Sequence, residues 1–372
     1  MESKSDIVSS SENENEVQNL DSNLLYEEAE MTKESYKLPW EIIQIGENRI
    51  NIPIINLEIM KGCDEVVLDV VADIVRVSCM KHGFFIVSDH GVDQNLINDT
   101  YREFDNIFKL PLFTKVGSMR YPWGYLGSHA WRSSSNLPWK ESFTFQYKHY
   151  DESNSQIAEF FKSILGDDHQ QARLVCQEYC DAMKKLSGPI LELLAISLGL
   201  DPLYYQKEFK DAESMMRCNS YPSSNGDKVG TLGVGPHCDP SSITILFQDQ
   251  VGGLEVLIDE IWYEIPHIPN TFVISIGDTF KVLTNGIYKS CSHRVMTNKE
   301  MERKTLAFFL CPKGDKILRA PKNILGKEEL NIYPDFTWSQ YFEFTQKKQY
   351  MVDHKTLKNF VSWLCASNAS NK

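Results

Sequence analysis

Apolar and polar residues are patterned differently in the two halves of the chain. Near the start, Asn51-Ile52-Pro53-Ile54-Ile55-Asn56 reads as a short strand. Over residues 64–81, Val67, Val71, Ile74 and Ser78 recur on one helical side until Gly83 breaks the pattern. Phe84-Phe85-Ile86-Val87 reads as a strand ending at His90-Gly91. Leu96, Ile97, Tyr101, Phe104 and Phe108 then keep helical spacing as far as Pro111. A long helix is predicted over residues 170–198, where Val175, Tyr179, Met183, Leu186, Ile190, Leu194 and Leu198 recur every three or four positions, and Gly188-Pro189 is expected to kink it.

From about residue 214 short alternating segments replace these longer periods. Ile243, Ile245 and Phe247 alternate; Gly252-Gly253 precedes Leu254–Leu257; Phe272–Ile276 ends at Gly277-Asp278; Thr305–Cys311 forms another strand. Asn285-Gly286 is a hairpin signal. Many short strands at this spacing predict a jelly roll or barrel, followed by a helical tail at about 337–364. The expected fold class is α+β, a β core flanked by helices with a helical N-terminal region. Residues 112–155 lack a period but carry Tyr121, Trp123, Tyr125, Trp131, Trp139, Phe143, Phe145, Tyr147 and Tyr150. An irregular aromatic stretch of that length reads as a binding loop.

Composition narrows the picture. With 372 residues, 42% hydrophobic and 24% charged, the chain is an ordinary globular one, and no apolar run reaches the length that spans a bilayer. The net charge of −13 is uneven: residues 1–36 hold ten acids and two lysines, a net of −8, which leaves −5 for the rest. That segment is Ser-, Asn- and Glu-rich and is expected to be a disordered acidic tail. The division that follows is 1–36 tail, 37–200 helical and mixed region, 201–345 β core and 346–372 helical tail. The polar, acidic first twenty residues fit no signal or transit peptide, the last three are no peroxisomal address, and nothing invites nucleic acid or a membrane. A cytoplasmic monomer is the default expectation. Nine cysteines without a Cys-x-x-Cys pair read as reduced, packed thiols.

Candidate chemistry centres on His237-Cys238-Asp239 and on His293, fifty-six residues later. Two neutral imidazoles and a carboxylate can occupy one face of an octahedral Fe(II) and leave the opposite face for a co-substrate and O2. If His237 and Asp239 lie in a strand they point to the same side, and Cys238 to the other, as a packing residue. Arg303 and Thr305, again at i and i+2, place a forked permanent cation beside a hydroxyl. That pair suits the distal carboxylate of a dicarboxylic keto acid whose other end chelates the metal. Asn219 and Tyr221 stand at the start of the same block.

These residues resemble a family. His237-Cys238-Asp239-Pro240, Gly252-Gly253-Leu254-Glu255-Val256, Asn285-Gly286-x-Tyr288-Lys289-Ser290-x-x-His293-Arg294-Val295 and Arg303-x-Thr305 look like the plant 2-oxoglutarate- and Fe(II)-dependent dioxygenases, as do His82-Gly83-Phe84-Phe85 and His90-Gly91-Val92. The resemblance covers roughly residues 50–345. It implies a double-stranded β-helix core, iron at His237, Asp239 and His293, and 2-oxoglutarate at Arg303, Thr305, Tyr221 and Asn219. It also implies O2 as oxidant and support by ascorbate. Within the family, Leu137-Pro138-Trp139-Lys140-Glu141-Ser142 resembles the Leu-Pro-Trp-Lys-Glu-Thr element of gibberellin 20-oxidases, and Pro122-Trp123-Gly124-Tyr125 their Pro-x-Gly-Tyr region. Ser142, Thr305 and the run Asn219-Ser220-Tyr221-Pro222-Ser223-Ser224 depart from the usual residues and mark a divergent member.

The resemblance implies oxidation of gibberellin intermediates at C-20, with 2-oxoglutarate decarboxylated to succinate. The partner is then a small diterpenoid acid. The aromatics of 121–150 would wall its pocket, Lys140 would pair with its carboxylate, and Trp139 and Glu141 would stand beside it. The same scaffold could instead carry a 2β- or 3β-hydroxylase. A hormone-binding protein without turnover, or a hydrolytic zinc site, would leave the open metal face or Arg303-x-Thr305 without a use.

Overall fold

The structure, a computed structural model, describes residues 38–117, 122–127, 140–149, 155–223, 232–325, 330–346 and 356–370. The expected disordered tail over 1–36 lies outside the described residues, as does Trp139.

The strands follow from the alternation. They are β1 (Trp40–Ile45), β2 (Ile50–Asn56), β3 (Phe84–Ser88), β4 (Gly124–Gly127), β5 (Glu141–Lys148), β6 (Glu213–Tyr221), β7 (Leu232–His237), β8 (Ile243–Gln248), β9 (Leu254–Ile258), β10 (Ile261–Ile265), β11 (Thr271–Ile276), β12 (His293–Met296) and β13 (Arg303–Leu310). Nine make one sheet in the order β1-β2-β3-β11-β8-β13-β6-β5-β4, and four make a second in the order β10-β9-β12-β7. Among the described strands only β2 and β3 pair in parallel; their crossover is the helix Glu65–Lys81. Residues of both sheets share one core, with Ile54, Phe84, Ile86 and Val273 of the large sheet packed with Leu254, Val256 and Ile258 of the small one. The architecture is the expected α+β double-stranded β-helix.

The large sheet is covered on its outer face by helices. Helix Gln170–Ile196 runs through Gly188-Pro189 and buries the predicted stripe of Val175, Tyr179, Met183, Leu186, Ile190 and Leu194. Helix Gln94–Phe108 reaches the same sheet through Tyr101, whose ring lies 6.1 Å from that of Phe247. Strands β8 and β13 are therefore apolar on the outer side, apart from Lys304, which pairs with Asp105 of the covering helix, and free to carry polar residues on the inner side. The helical tail consists of Trp338–Thr345 and Thr356–Ser370.

Two expectations fail. The described parts of residues 112–155 are largely regular: β4 and β5 extend the large sheet, and Tyr125, Phe143, Phe145 and Tyr147 are core residues, while Tyr121, Trp131 and Tyr150 lie outside the described residues. Phe143 packs near Phe104 and Phe161 at 6.1 and 5.6 Å, within the core. Asn285-Gly286 makes no hairpin. Both residues have positive φ (50° and 80°) and end the short helix Asp278–Leu283, the Gly286 N–H donating to the Lys281 carbonyl at 2.8 Å. The left-handed conformation that suits a tight hairpin equally suits a helix C-terminus.

The backbone behind this helix is close-packed. A Cβ on Gly277 would lie 2.1 Å from the Ser241 carbonyl oxygen and 2.9 Å from that of Asp239. Gly277→Ala is expected to lower stability by about 2 kcal/mol or more, because only backbone can yield. Thermal unfolding checks it; an unchanged midpoint contradicts this packing.

Candidate active site

His237 and His293 face each other across the β7–β12 pair. His293 aligns with His237, and Val295 with Val234, so three steps on β7 match two on β12. That bulge, at Gly235-Pro236, turns both Val234 and His237 toward one cavity, which plain alternation would forbid. Asp239 is not a strand residue as expected; it lies two positions past the end of β7. Its carbonyl accepts from the Asp278 N–H at 2.8 Å, which fixes the turn. Cys238 points away, its thiol 3.8 Å from the Ser290 carbonyl.

The three side chains converge. Ligand atoms of His237, Asp239 and His293 lie within 4.8 Å of one another. Asp239 Oδ1 is 3.5 Å from His237 Nε2 and 3.8 Å from His293 Nε2. His237 Nδ1 meets the Gly235 carbonyl at 2.9 Å, and His293 Nδ1 that of Cys291 at 3.1 Å. A carbonyl only accepts, so each Nδ1 carries the proton and each Nε2 offers a lone pair. Burial and the neighbouring His237 hold His293 below its ordinary pKa, which keeps it neutral. Burial raises the Asp239 carboxyl, and the hydrogen bond from the Thr244 hydroxyl opposes it by favouring the charged form; a proton on either imidazole would lower the group further. Thr244 Oγ1 donates to Asp239 Oδ2 at 2.6 Å and leaves Oδ1 facing the imidazoles. Two neutral nitrogens and one anionic oxygen fit Fe(II) with one face left open.

The second pole is built by β6, β8 and β13. Register pairs Arg303 with Tyr221, and Thr305 with both Asn219 and Gln248. Arg303 is only 1% exposed. Its Nη2 donates to Gln248 Oε1 at 3.3 Å, and its guanidinium lies 5.2 Å from the Tyr221 ring centroid. Gln248 is itself oriented by donating to the Pro266 carbonyl. Arg303 Nε and Nη1 have no hydrogen-bond partner among the described residues, and neither has Asn219 Oδ1. Asn219 Nδ2 donates to Thr305 Oγ1 at 3.1 Å. A buried permanent cation bonded to one neutral amide is strongly unfavourable until an anion arrives. Either unpartnered group, taken with the second Nη2 hydrogen, forms an edge that a carboxylate can meet with two parallel hydrogen bonds.

Both poles line one partly open cavity, with Val234, Leu246, Leu254, Val295 and Phe309 as its apolar wall. Of the expected substrate contacts, Lys140 lines it; burial and the nearby Arg217 push its ammonium down to about 7. Glu141 does not line it. Its carboxylate accepts from Lys115 Nζ at 2.7 Å and Tyr125 Oη at 2.5 Å, a partly buried cluster beneath β4 and β5. Thr244, Gln248 and Arg217 escaped the sequence reading. Their signal was alternation: Arg217, Asn219 and Tyr221 share one face of β6, and Thr244, Leu246 and Gln248 one face of β8.

Comparison with known proteins agrees with this geometry. Residues 212–312 match the model of the 2OG-Fe(II) oxygenase superfamily, and residues 52–163 that of the non-haem dioxygenase in morphine synthesis N-terminal region. The chain is 44% identical over 322 residues to gibberellin 20 oxidase 2 of Arabidopsis thaliana, covering 86% of this chain and 83% of that one. It is 43% identical over 318 residues to gibberellin 20 oxidase 2 of Oryza sativa subsp. indica, covering 85% and 80%. The crystal structure of JOX2 in complex with 2OG, Fe and JA superposes with a TM-score of 0.68 at 28% identity, covering 87% of this chain and 93% of that one.

Thr244→Val keeps the shape of β8 and removes the hydroxyl that orients Asp239. Affinity for Fe(II), titrated anaerobically, is expected to fall roughly 10–100-fold with the unfolding midpoint nearly unchanged. Unaltered affinity contradicts the role of that bond.

Proposed function

The chain belongs to the 2OG-Fe(II) oxygenase superfamily, and on that premise we propose that it oxidises gibberellin intermediates at C-20, with 2-oxoglutarate converted to succinate. The observation that carries the reading is the Arg303 guanidinium, buried at one end of the cavity with two N–H groups unpartnered and the His-Asp-His cluster lining the same space. The likeness to gibberellin 20 oxidases over 86% of the chain supports the substrate class.

In this reading His237, Asp239 and His293 hold Fe(II). Arg303 binds the distal carboxylate of 2-oxoglutarate through its fork, and Thr305, Tyr221 and Asn219 close around the same group. Bound Fe(II), with 2-oxoglutarate and O2, supplies the oxidising power for an unactivated C–H bond. The chain's own residues orient and exclude. Thr244 and the two backbone carbonyls fix the direction of the ligand atoms, and the apolar wall excludes water around the ring system. Lys140 faces the substrate carboxylate. No described helix is long and apolar enough to cross a membrane, and the proposal places a monomeric enzyme in the cytoplasm.

Incubation with Fe(II), ascorbate, 2-oxoglutarate and a panel of gibberellins tests this. C20 substrates are expected to be oxidised at C-20, with succinate released in step. Ring hydroxylation of C19 substrates alone would turn the assignment to a 2β- or 3β-hydroxylase. Arg303→Lys is expected to raise the 2-oxoglutarate KM by about 30-fold or more, because a point charge cannot reproduce the forked contact. An unchanged KM would move the co-substrate elsewhere.

A further inference from the structure

Arg217 is the second guanidinium of the cavity, and neither the metal nor the co-substrate assignment uses it. Alternation along β6 puts it on the face shared by Asn219 and Tyr221, four residues, or about 13 Å of strand, from the Tyr221–Arg303 pair. Two elements hold its plane: Nε donates to Thr144 Oγ1 on β5 at 2.9 Å, and the guanidinium lies 5.5 Å from the Phe309 ring centroid. Lys140, immediately before β5, lines the same region. The cavity therefore carries two cationic poles on one strand pair. One is Arg303, fully enclosed. The other is Arg217 with Lys140, partly exposed. Two basic side chains lining one side of a cleft offer a carboxylate two charged donors there.

We infer that Arg217 is a substrate-binding residue, which with Lys140 clamps the carboxylate of the acid that is oxidised. The inference rests on the gibberellin reading and sharpens it. Guanidinium stays charged at every working pH and offers a rigid fork, so Arg217 is the anchor and Lys140 its second donor. The separation of the poles has a purpose. Both reactants are carboxylic acids, and one shared cation would let each block the other. A rigid ring acid reaching the outer pole leaves Arg303 to the flexible dicarboxylate.

The test is anaerobic equilibrium binding to the full chain loaded with Fe(II) and 2-oxoglutarate, using a C20 gibberellin acid and its methyl ester. Wild type is expected to favour the acid strongly. Arg217→Gln should weaken the acid by about 30-fold or more and the ester by less than about threefold, with 2-oxoglutarate affinity held within about twofold. Arg217→Lys should fall between the two. Weakened 2-oxoglutarate binding with the acid unaffected would overturn the inference and give Arg217 to the co-substrate. Equal loss of acid and ester would overturn it as a packing effect. Wild type binding both compounds, with Arg217→Gln indifferent, would overturn the clamp alone. Wild type binding neither would overturn the gibberellin reading and the clamp with it.

Discussion

A guanidinium taken out of water and left short of partners sets the terms for the rest of this molecule. Arg303 is enclosed by β6, β8 and β13, touches one neutral amide and one aromatic face, and forms no ion pair among the described residues. Desolvating such a charge costs several kcal/mol that the fold alone does not recover. The cost is tolerable only because the surrounding sheet is rigid and apolar on its other face. Helices Gln94–Phe108 and Gln170–Ile196 seal that face. The strands supply the inward polar residues by alternation, so the recognition of an acid follows from the same pleat that builds the core.

The metal pole depends on departures from regular strand geometry. A bulge in β7 re-aims His237, and a turn beyond the strand end carries Asp239. Backbone carbonyls set both imidazole tautomers, while one hydroxyl sets the carboxylate. Regular strands thus carry the residues proposed to bind the co-substrate, and irregular backbone carries the His-Asp-His cluster. The large sheet spans both, because β8 carries Thr244 at one pole and Gln248 at the other.

Much of this was legible in the chain. The metal ligands were readable from residue type and spacing, and Arg303 with Thr305 from the two-residue period. The long helices were readable from their apolar stripes. What was missed had particular causes. Phe143, Phe145 and Tyr147 alternate with polar residues and mark β5, but the density of aromatics around them masked the period. Asn285-Gly286 satisfies a hairpin and a helix end alike, and only the hydrogen bond back to Lys281 separates them. Glu141 looked like a ligand contact because its partner Lys115 lies twenty-six positions away. Trp40–Ile45 carries β1 on a weak apolar pattern that pairing with β2 stabilises.

The central claim is that the enclosed cation selects a keto acid by its far carboxylate. Binding of 2-oxoglutarate and of 2-oxopentanoate, which keeps the keto-acid end and replaces the distal carboxylate by a methyl group, can be compared anaerobically with Fe(II) present. The account predicts that 2-oxoglutarate binds tighter by about 100-fold or more, since the analogue leaves the guanidinium unpaired. Equal affinities would contradict it.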